Sequence, residues 1–290
     1  MVAGLVRLAV YPTVLIVACG AAWALLRAGV QAPFVVAGVN LAATAVIAAL
    51  ERLLPHRPAW NRSHGDVRTD VLHMVFGMLP VPALFRAAAL GALTAAASSL
   101  AARWGGPLWP SHLPMVAQLV IALLVAELGQ YWVHRLAHER ASLWRLHVVH
   151  HSVERLYWLN AGRFHPLDTL LQHASQIAPL VVLGAGDQVI AMFTVFTAAN
   201  GMLRHANVDM RTSWLGWVLS TAELHRWHHS LEVAESNANY GANLIVWDVV
   251  FGTRRAPATI GPEKLGLAHA FPRDFLGQLA SPFRGTRPPS

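Results

Sequence analysis

Residues 127–151, ELGQYWVHRLAHERASLWRLHVVHH, place five histidines within eighteen positions: His134, His138, His147, His150 and His151. Their spacings are HxxxH and HxxHH. On a helix, residues three and four apart share a face at roughly 5–6 Å. Such a pair can reach one metal ion through neutral imidazole nitrogens. A second HxxHH follows at His225, His228 and His229, in LHRWHHS. Histidines buried merely as packing groups would each need a separate hydrogen-bond partner. A metal centre accounts for all of them together.

Composition places this centre in a membrane. Hydrophobic residues are 55% of the 290 and charged residues only 13%, against about 25% charged in ordinary soluble domains. The net charge is +7, from 22 Lys plus Arg against 15 Asp plus Glu. Lys264 is the sole lysine, so the basicity is arginine beside apolar runs, a pattern that anchors chains at membrane surfaces. No basic face interleaved with aromatics is present, so nucleic acid is not an expected partner. Cys19, the single cysteine, excludes an internal disulfide and a cysteine-ligated iron–sulfur cluster.

Apolar runs over residues 5–28, 33–54, 71–101 and 113–133 are each long enough to span a bilayer. The first reads as a retained transmembrane helix rather than a removed signal peptide. Pro80 and Pro82 are expected to kink or break the third. Residues 170–203 are again apolar but interrupted by Pro179 and Gly184-Ala-Gly186-Asp187, which predicts a helical hairpin that re-enters or crosses obliquely. A short amphipathic piece is expected over 213–222, and a loosely ordered tail after 255. Four arginines lie in 52–68 and one in 102–112; the positive-inside rule makes the first loop cytoplasmic and delivers His134 to that face. The expected fold is an all-α integral membrane protein of about four transmembrane helices plus the hairpin, with a cytoplasmic histidine-rich helical cap. Its expected divisions are transmembrane helices over 1–112, a catalytic domain over 113–255 and a tail over 256–290.

The histidine count exceeds one tetrahedral zinc, which takes four protein ligands or three plus water, and two ions fit better. Nitrogen donors without thiolate admit iron, zinc, copper or nickel. At this point HRLAH, HVVHH, RFHPLD, the His205–Asp209 stretch HANVD, HRWHH and NYGANLIVWDVVFGT together resemble the membrane-bound fatty acid hydroxylase and sterol desaturase superfamily, over roughly residues 120–255.

The resemblance implies a non-haem diiron centre that uses O2 to hydroxylate or desaturate a C–H bond of a lipid: a sterol, fatty acyl chain, ether lipid or carotenoid. Zinc is an alternative occupant of the purified protein. The implied ligands are His134, His138, His147, His150, His151, His205, His225, His228 and His229, with Asp209 standing where some relatives carry a further histidine. Asn239, Asp248 and Glu127 are expected to orient ligand imidazoles, and His165 to support the ligands from behind or to serve structure. His173 reads as a packing residue, and His56, His64, His73, His112 and His269 as interfacial or surface groups. The kinked third span and the glycine-broken hairpin are the candidate walls of a dry cavity for the alkyl chain. Since no flavin, haem or ferredoxin motif is present, electrons must come from a separate donor of the cytochrome b5, ferredoxin or reductase type. Two rivals stay open: a dinuclear zinc membrane hydrolase, which needs bridging carboxylates, and a metal transporter, which needs ligands strung across the spans.

Overall fold

The computed structural model describes residues 2–256 and 261–284. Its helices are α1 (Val2–Arg27), α2 (Ala32–Leu53), α3 (Val67–Leu72), α4 (Val81–Trp104), α5 (Met115–Glu139), α6 (Ala141–His151), α7 (Pro166–Leu183), α8 (Asp187–His205), α9 (Ala222–His228), α10 (Val233–Ser236), α11 (Val246–Val250) and α12 (Phe275–Ala280). Among the described residues β pairing is limited to isolated bridges. Four helical stretches, Gly4–Arg27, Ala32–Leu53, Val67–Trp104 and Met115–Glu139, are long and apolar enough to cross a membrane.

The third of these is distorted where its prolines predict. α3 passes into a π-helical segment, His73–Met78, and then a turn at Leu79–Pro80 before α4 begins. Proline removes a helix N–H and clashes with the preceding turn, so the ladder is interrupted there. His73 is fully buried, not interfacial as its isolated position in the sequence suggests. Its ring nitrogens lie 2.9 Å from the Phe164 carbonyl and 2.8 Å from Gln278 Oε1. His173 packs edge-on against Phe85, 5.3 Å between centroids.

α7 and α8 form the expected hairpin. Gly184, in the left-handed region at φ 88°, ends α7, and Gly186 begins α8. A Cβ on Gly184 would lie 3.7 Å from Pro107 and 3.9 Å from Trp109. The tip therefore sits beside the loop joining α4 to α5, at the opposite end from the histidines. Eighteen residues at 1.5 Å each make α7 about 27 Å long, close to the thickness of a bilayer's hydrocarbon core. The hairpin runs the full length of the bundle. α7 continues through Pro179, where an interruption is expected from sequence.

Two apolar clusters hold the bundle. In one, Tyr11, Leu15 and Ala22 of α1 meet Val35 and Ile47 of α2 and Val195, Ala199 and Leu203 of α8. In the other, Ala122, Leu123 and Ala126 of α5 meet Leu180 of α7 and Phe193 of α8. α5 and α7 touch at Gly129, where any Cβ would lie 2.5 Å from the Ser175 carbonyl. That approach aligns the end of α5, which carries histidines, with the start of α7.

The 54–70 loop folds over the histidine end. Arg163 donates to Asp70 at 2.8 Å and Arg155 to Asp66 at 2.6 and 2.8 Å. Glu51 accepts from the backbone N–H of Trp158 and of Asn207 at 2.7 and 2.9 Å. Residues 213–218, within the stretch expected to be amphipathic, form a turn held where Leu219 pairs with Leu244 and Ile245 donates to Val218. One sequence expectation is corrected here. The described part of the tail is not loose: α12 buries Gln278 against His73, and Thr69 donates to the Arg273 carbonyl at 2.8 Å.

Candidate metal centre

Each HxxHH splits between two groups, and helix geometry explains how. Residues four apart differ by about 40° around the axis, while the residue between them, at +3, turns away by about 60° from the first. His147 and His151 therefore face one side of α6, and His150 faces another. On α9, His225 pairs with His229, the residue capping its C-terminus, and His228 turns away. The structure gathers His134, His138, His147, His151 and His228 into one group and His150, His205, His225 and His229 into a second, the candidate ligand atoms of each lying within 4.8 Å of one another. None of the nine is more than 5% exposed. The groups adjoin: the His151 and His229 rings stack with centroids 4.6 Å apart.

In the four-histidine group the Nε2 atoms converge. His205 to His225 is 3.0 Å, His225 to His229 3.0 Å, His229 to His150 3.2 Å and His150 to His205 3.4 Å. Nitrogens about 2.0–2.1 Å from a tetrahedral ion would stand about 3.3 Å apart. In the five-histidine group the Nε2 atoms of His134, His138, His147, His151 and His228 are all buried without a hydrogen-bond partner. An unsatisfied buried polar atom costs about 1–3 kcal/mol. Five aimed into one space fit a cation that takes their lone pairs.

The other ring nitrogen shows how the tautomers are held. Nδ1 of His134 faces the Tyr240 carbonyl at 2.5 Å, His138 the Asn237 Oδ1 at 3.0 Å, and His228 the Ala238 carbonyl at 2.8 Å. His150 faces the Arg163 carbonyl at 3.3 Å and His205 the Gly201 carbonyl at 2.9 Å. His147 alone meets a carboxylate among these contacts, with Nδ1 2.8 Å from Asp168 Oδ2. An acceptor at Nδ1 keeps the proton there and leaves Nε2 free to ligate.

These partners are not the ones expected from sequence. Asp209 joins neither group; it pairs with Arg7 at 2.8 Å, because α1 brings that arginine beside the end of α8. His165 caps α7, accepting from the Leu167 N–H at 3.2 Å. Asp248 accepts from the backbone of Tyr240 and Gly241 at 2.8 and 2.7 Å, and so holds the loop whose carbonyl meets His134. Glu127 accepts from the backbone N–H of Ala242 and Asn243. Asn239, at φ 57°, ties Leu224 to Arg255. All four shape the chain one step behind the histidines. Asp168, the Asn237 side chain and the carbonyls of Arg163, Gly201, Ala238 and Tyr240 make the direct contacts. RFHPLD carried the signal for Asp168, but backbone carbonyls leave none.

Gly241 is fixed by this loop: a Cβ would lie 2.1 Å from the Leu244 carbonyl and 3.0 Å from Asp248. Gly241→Ala should therefore displace the Tyr240 carbonyl and weaken metal retention by the five-histidine group, read as lost metal at a fixed chelator concentration in protein that still folds.

Burial, with the repulsion that the crowded imidazoles would exert on one another if protonated and, for His225 and His229, the nearby Arg204, holds His150, His151, His225, His228 and His229 well below the usual 6.5. They are neutral at pH 7 and ready to ligate. Below about 6.5 the unfolded chain takes up protons that the folded chain refuses. Stability of the metal-free protein is thus present above pH 6.5 and lost as pH falls below it. Thermal unfolding of chelator-treated protein should shift down by several degrees between pH 7.5 and 5.5; an unchanged midpoint would contradict this.

Residues 119–253 match the fatty acid hydroxylase family. The chain is 42% identical over 248 residues to the ornithine lipid hydroxylase OlsE of Rhizobium tropici, an alignment covering 84% of this chain and 74% of that one. It is 33% identical over 138 residues to alkylglycerol monooxygenase of Homo sapiens, covering 47% and 30%. To methylsterol monooxygenase 1 of Gallus gallus it is 25% identical over 146 residues, covering 50% and 48%. No solved structure matches it significantly. The chain belongs to the fatty acid hydroxylase family, and it is an enzyme, an oxidoreductase.

Proposed function

We propose that this chain is a membrane-bound diiron oxygenase that hydroxylates a C–H bond of a lipid. The observation that carries the reading is the convergence of nine buried imidazoles on two adjacent points, five with unpartnered Nε2 atoms and four whose Nε2 atoms meet only one another. The named relatives are a hydroxylase and monooxygenases, which favours hydroxylation over desaturation. The long alignment with an ornithine lipid hydroxylase favours an acyl lipid with an amino-acid headgroup as substrate.

Two irons held by these histidines would supply O2 activation and oxidation of an unactivated carbon. The overall balance is one lipid C–H, one O2, two electrons and two protons giving one C–OH and one water. The electrons come from a separate donor protein. The chain's own residues do the rest. The acceptors at Nδ1 fix the ring orientation of His134, His138, His147, His150, His205 and His228, and the apolar and aromatic packing around the cluster keeps bulk water out. Phe164, stacked on His150 at 3.9 Å, and Trp144, 5.3 Å from His138, are part of that screen. The arginine-bearing 52–68 loop lies at the histidine end of the bundle, which supports a metal site on the cytoplasmic face.

Both rivals lose ground. Among the described residues no carboxylate belongs to either group, as a bridged zinc hydrolase would need, and the ligands gather at one end of the bundle instead of lining a path across it. The test is metal content of protein expressed with iron and purified anaerobically, together with O2 uptake on adding a reductant and lipid. Two irons per chain and lipid-dependent uptake are expected. Stable zinc without uptake, even after iron is restored, would defeat the proposal.

A further inference from the structure

A file of aromatic rings leads from the outer side of α5 to the five-histidine group. Trp132 on α5 and Phe251, just after α11, are each 38% exposed, with ring centroids 5.1 Å apart. Behind them the fully buried Tyr131 stacks on Phe251 at 5.1 Å and 22°. Its ring lies 6.1 Å from that of Tyr240. Tyr240 in turn lies 5.2 Å from His138, 5.8 Å from His134 and 5.9 Å from His228. Three of the five histidines thus border one ring at the inner end of the file.

The outer end belongs to a larger apolar surface. Leu128, one turn before Trp132, is exposed, as are Val249 and Val250 on α11 and Trp214 and Trp217 on the neighbouring turn. That turn is tied to α11 through Ile245 and Val218, and Arg254 lies over the Trp217 ring at 3.7 Å. Single exposed apolar residues are ordinary, but a contiguous patch requires an occupant. α5 is long and apolar enough to span, so its outward side faces lipid, and the patch continues that side. Tryptophan with arginine at the margin is the composition of a membrane interface.

We infer that an acyl lipid reaches the metal centre sideways from the bilayer, along the seam between α5 and α11, with Tyr131 and Phe251 as the gate. Tyr240 is the inner wall, where the chain meets the five-histidine group. The inference rests on the lipid-oxidising reading above. In this structure the seam is shut. Arg135 donates to the Tyr131 hydroxyl at 3.1 Å, and that hydroxyl shares a hydrogen bond of 3.0 Å with Thr253 Oγ1. Gly252, at φ 72°, follows Phe251 and gives the gate a backbone that few other residues adopt. An electron path along the same rings is disfavoured because its outer end opens on lipid, where a water-soluble donor does not dock.

The experiment uses the full chain in nanodiscs with an ornithine lipid analogue bearing a diazirine in its acyl chain. After irradiation, adducts are mapped by mass spectrometry. Adducts on Tyr131 and Tyr240, suppressed by excess unlabelled lipid, are expected. A phosphatidylcholine with the same diazirine should label only the outer patch. Phe251→Ala should raise labelling of Tyr240 several-fold with metal content unchanged, and Phe251→Leu serves if the alanine variant folds poorly. Adducts confined to the outer patch, or to the groove between Leu100, Leu108 and Val182 at the far end, would overturn the inference. The map does not depend on turnover, so a chain that fails to oxidise lipid would defeat the functional reading separately.

Discussion

His205→Ala should leave a chain that holds one metal ion in place of two and has lost turnover by more than about 100-fold, beyond the 10–100-fold typical of groups that only support a ligand. The four-histidine group has no nitrogen to spare: its Nε2 atoms stand 3.0–3.4 Å apart around one point, as four ligands of a tetrahedral ion would. Removing one leaves three and an open position. The five-histidine group differs, since loss of His151 still leaves four nitrogens. His151→Ala should therefore retain nearly two metals per chain and a measurable fraction of activity. Metal per chain by mass spectrometry, alongside lipid turnover, reads both variants, and His205→Gln checks that cavity formation is not the cause. Equal losses in the two variants would mean that the inequality of the groups has no functional weight.

Much of this was legible before any coordinates. Mean hydropathy and run length give the four spans, and Pro80–Pro82 mark the broken one, because these effects are local to the chain. The nine histidines stand out because their spacing is helical and repeated. How they divide was not legible from motif order: His228 of the last motif joins His134 and His138, which lie ninety residues earlier. Only the packing of α9 on α8, which brings the His228 ring within 4.5 Å of the His134 ring, sets that. The residues behind the ligands were misread for a similar reason. Asp248 and Glu127 are the kind of residue that orients an imidazole, yet they bind backbone N–H groups of the 240–243 loop, and the Tyr240 carbonyl of that loop orients His134. A backbone carbonyl has no residue type to announce it. Asp209 is a plausible ligand by the motif resemblance alone, and the arginine that takes it instead, Arg7, lies two hundred residues away on a helix with no motif at all.

Asp168→Asn should lower metal affinity of the five-histidine group, or activity, by about 10–100-fold, and leave the four-histidine group loaded. Asp168 is buried, and its two oxygens have separate duties: Oδ2 accepts from His147 Nδ1 at 2.8 Å and Oδ1 from Gln172 Nε2 at 2.8 Å. Gln172 is itself fixed by Gln130 at 2.6 Å, so the carboxylate cannot turn away. Asparagine fills the same volume but has one acceptor and one donor where two acceptors are needed. Either His147 or Gln172 then faces an N–H with its own N–H. The negative charge is also lost, and with it the electron density that a carboxylate lends to a ligating imidazole. That second effect separates orientation from packing: with iron bound, as proposed, the five-histidine group should become easier to reduce, its potential moving upward, whereas Asp248→Asn, which acts through the Tyr240 loop, should weaken binding with a smaller change in potential. A variant that keeps both metals, its potential and its turnover would show that His147 needs no carboxylate, and that Asp168 serves only to start α7.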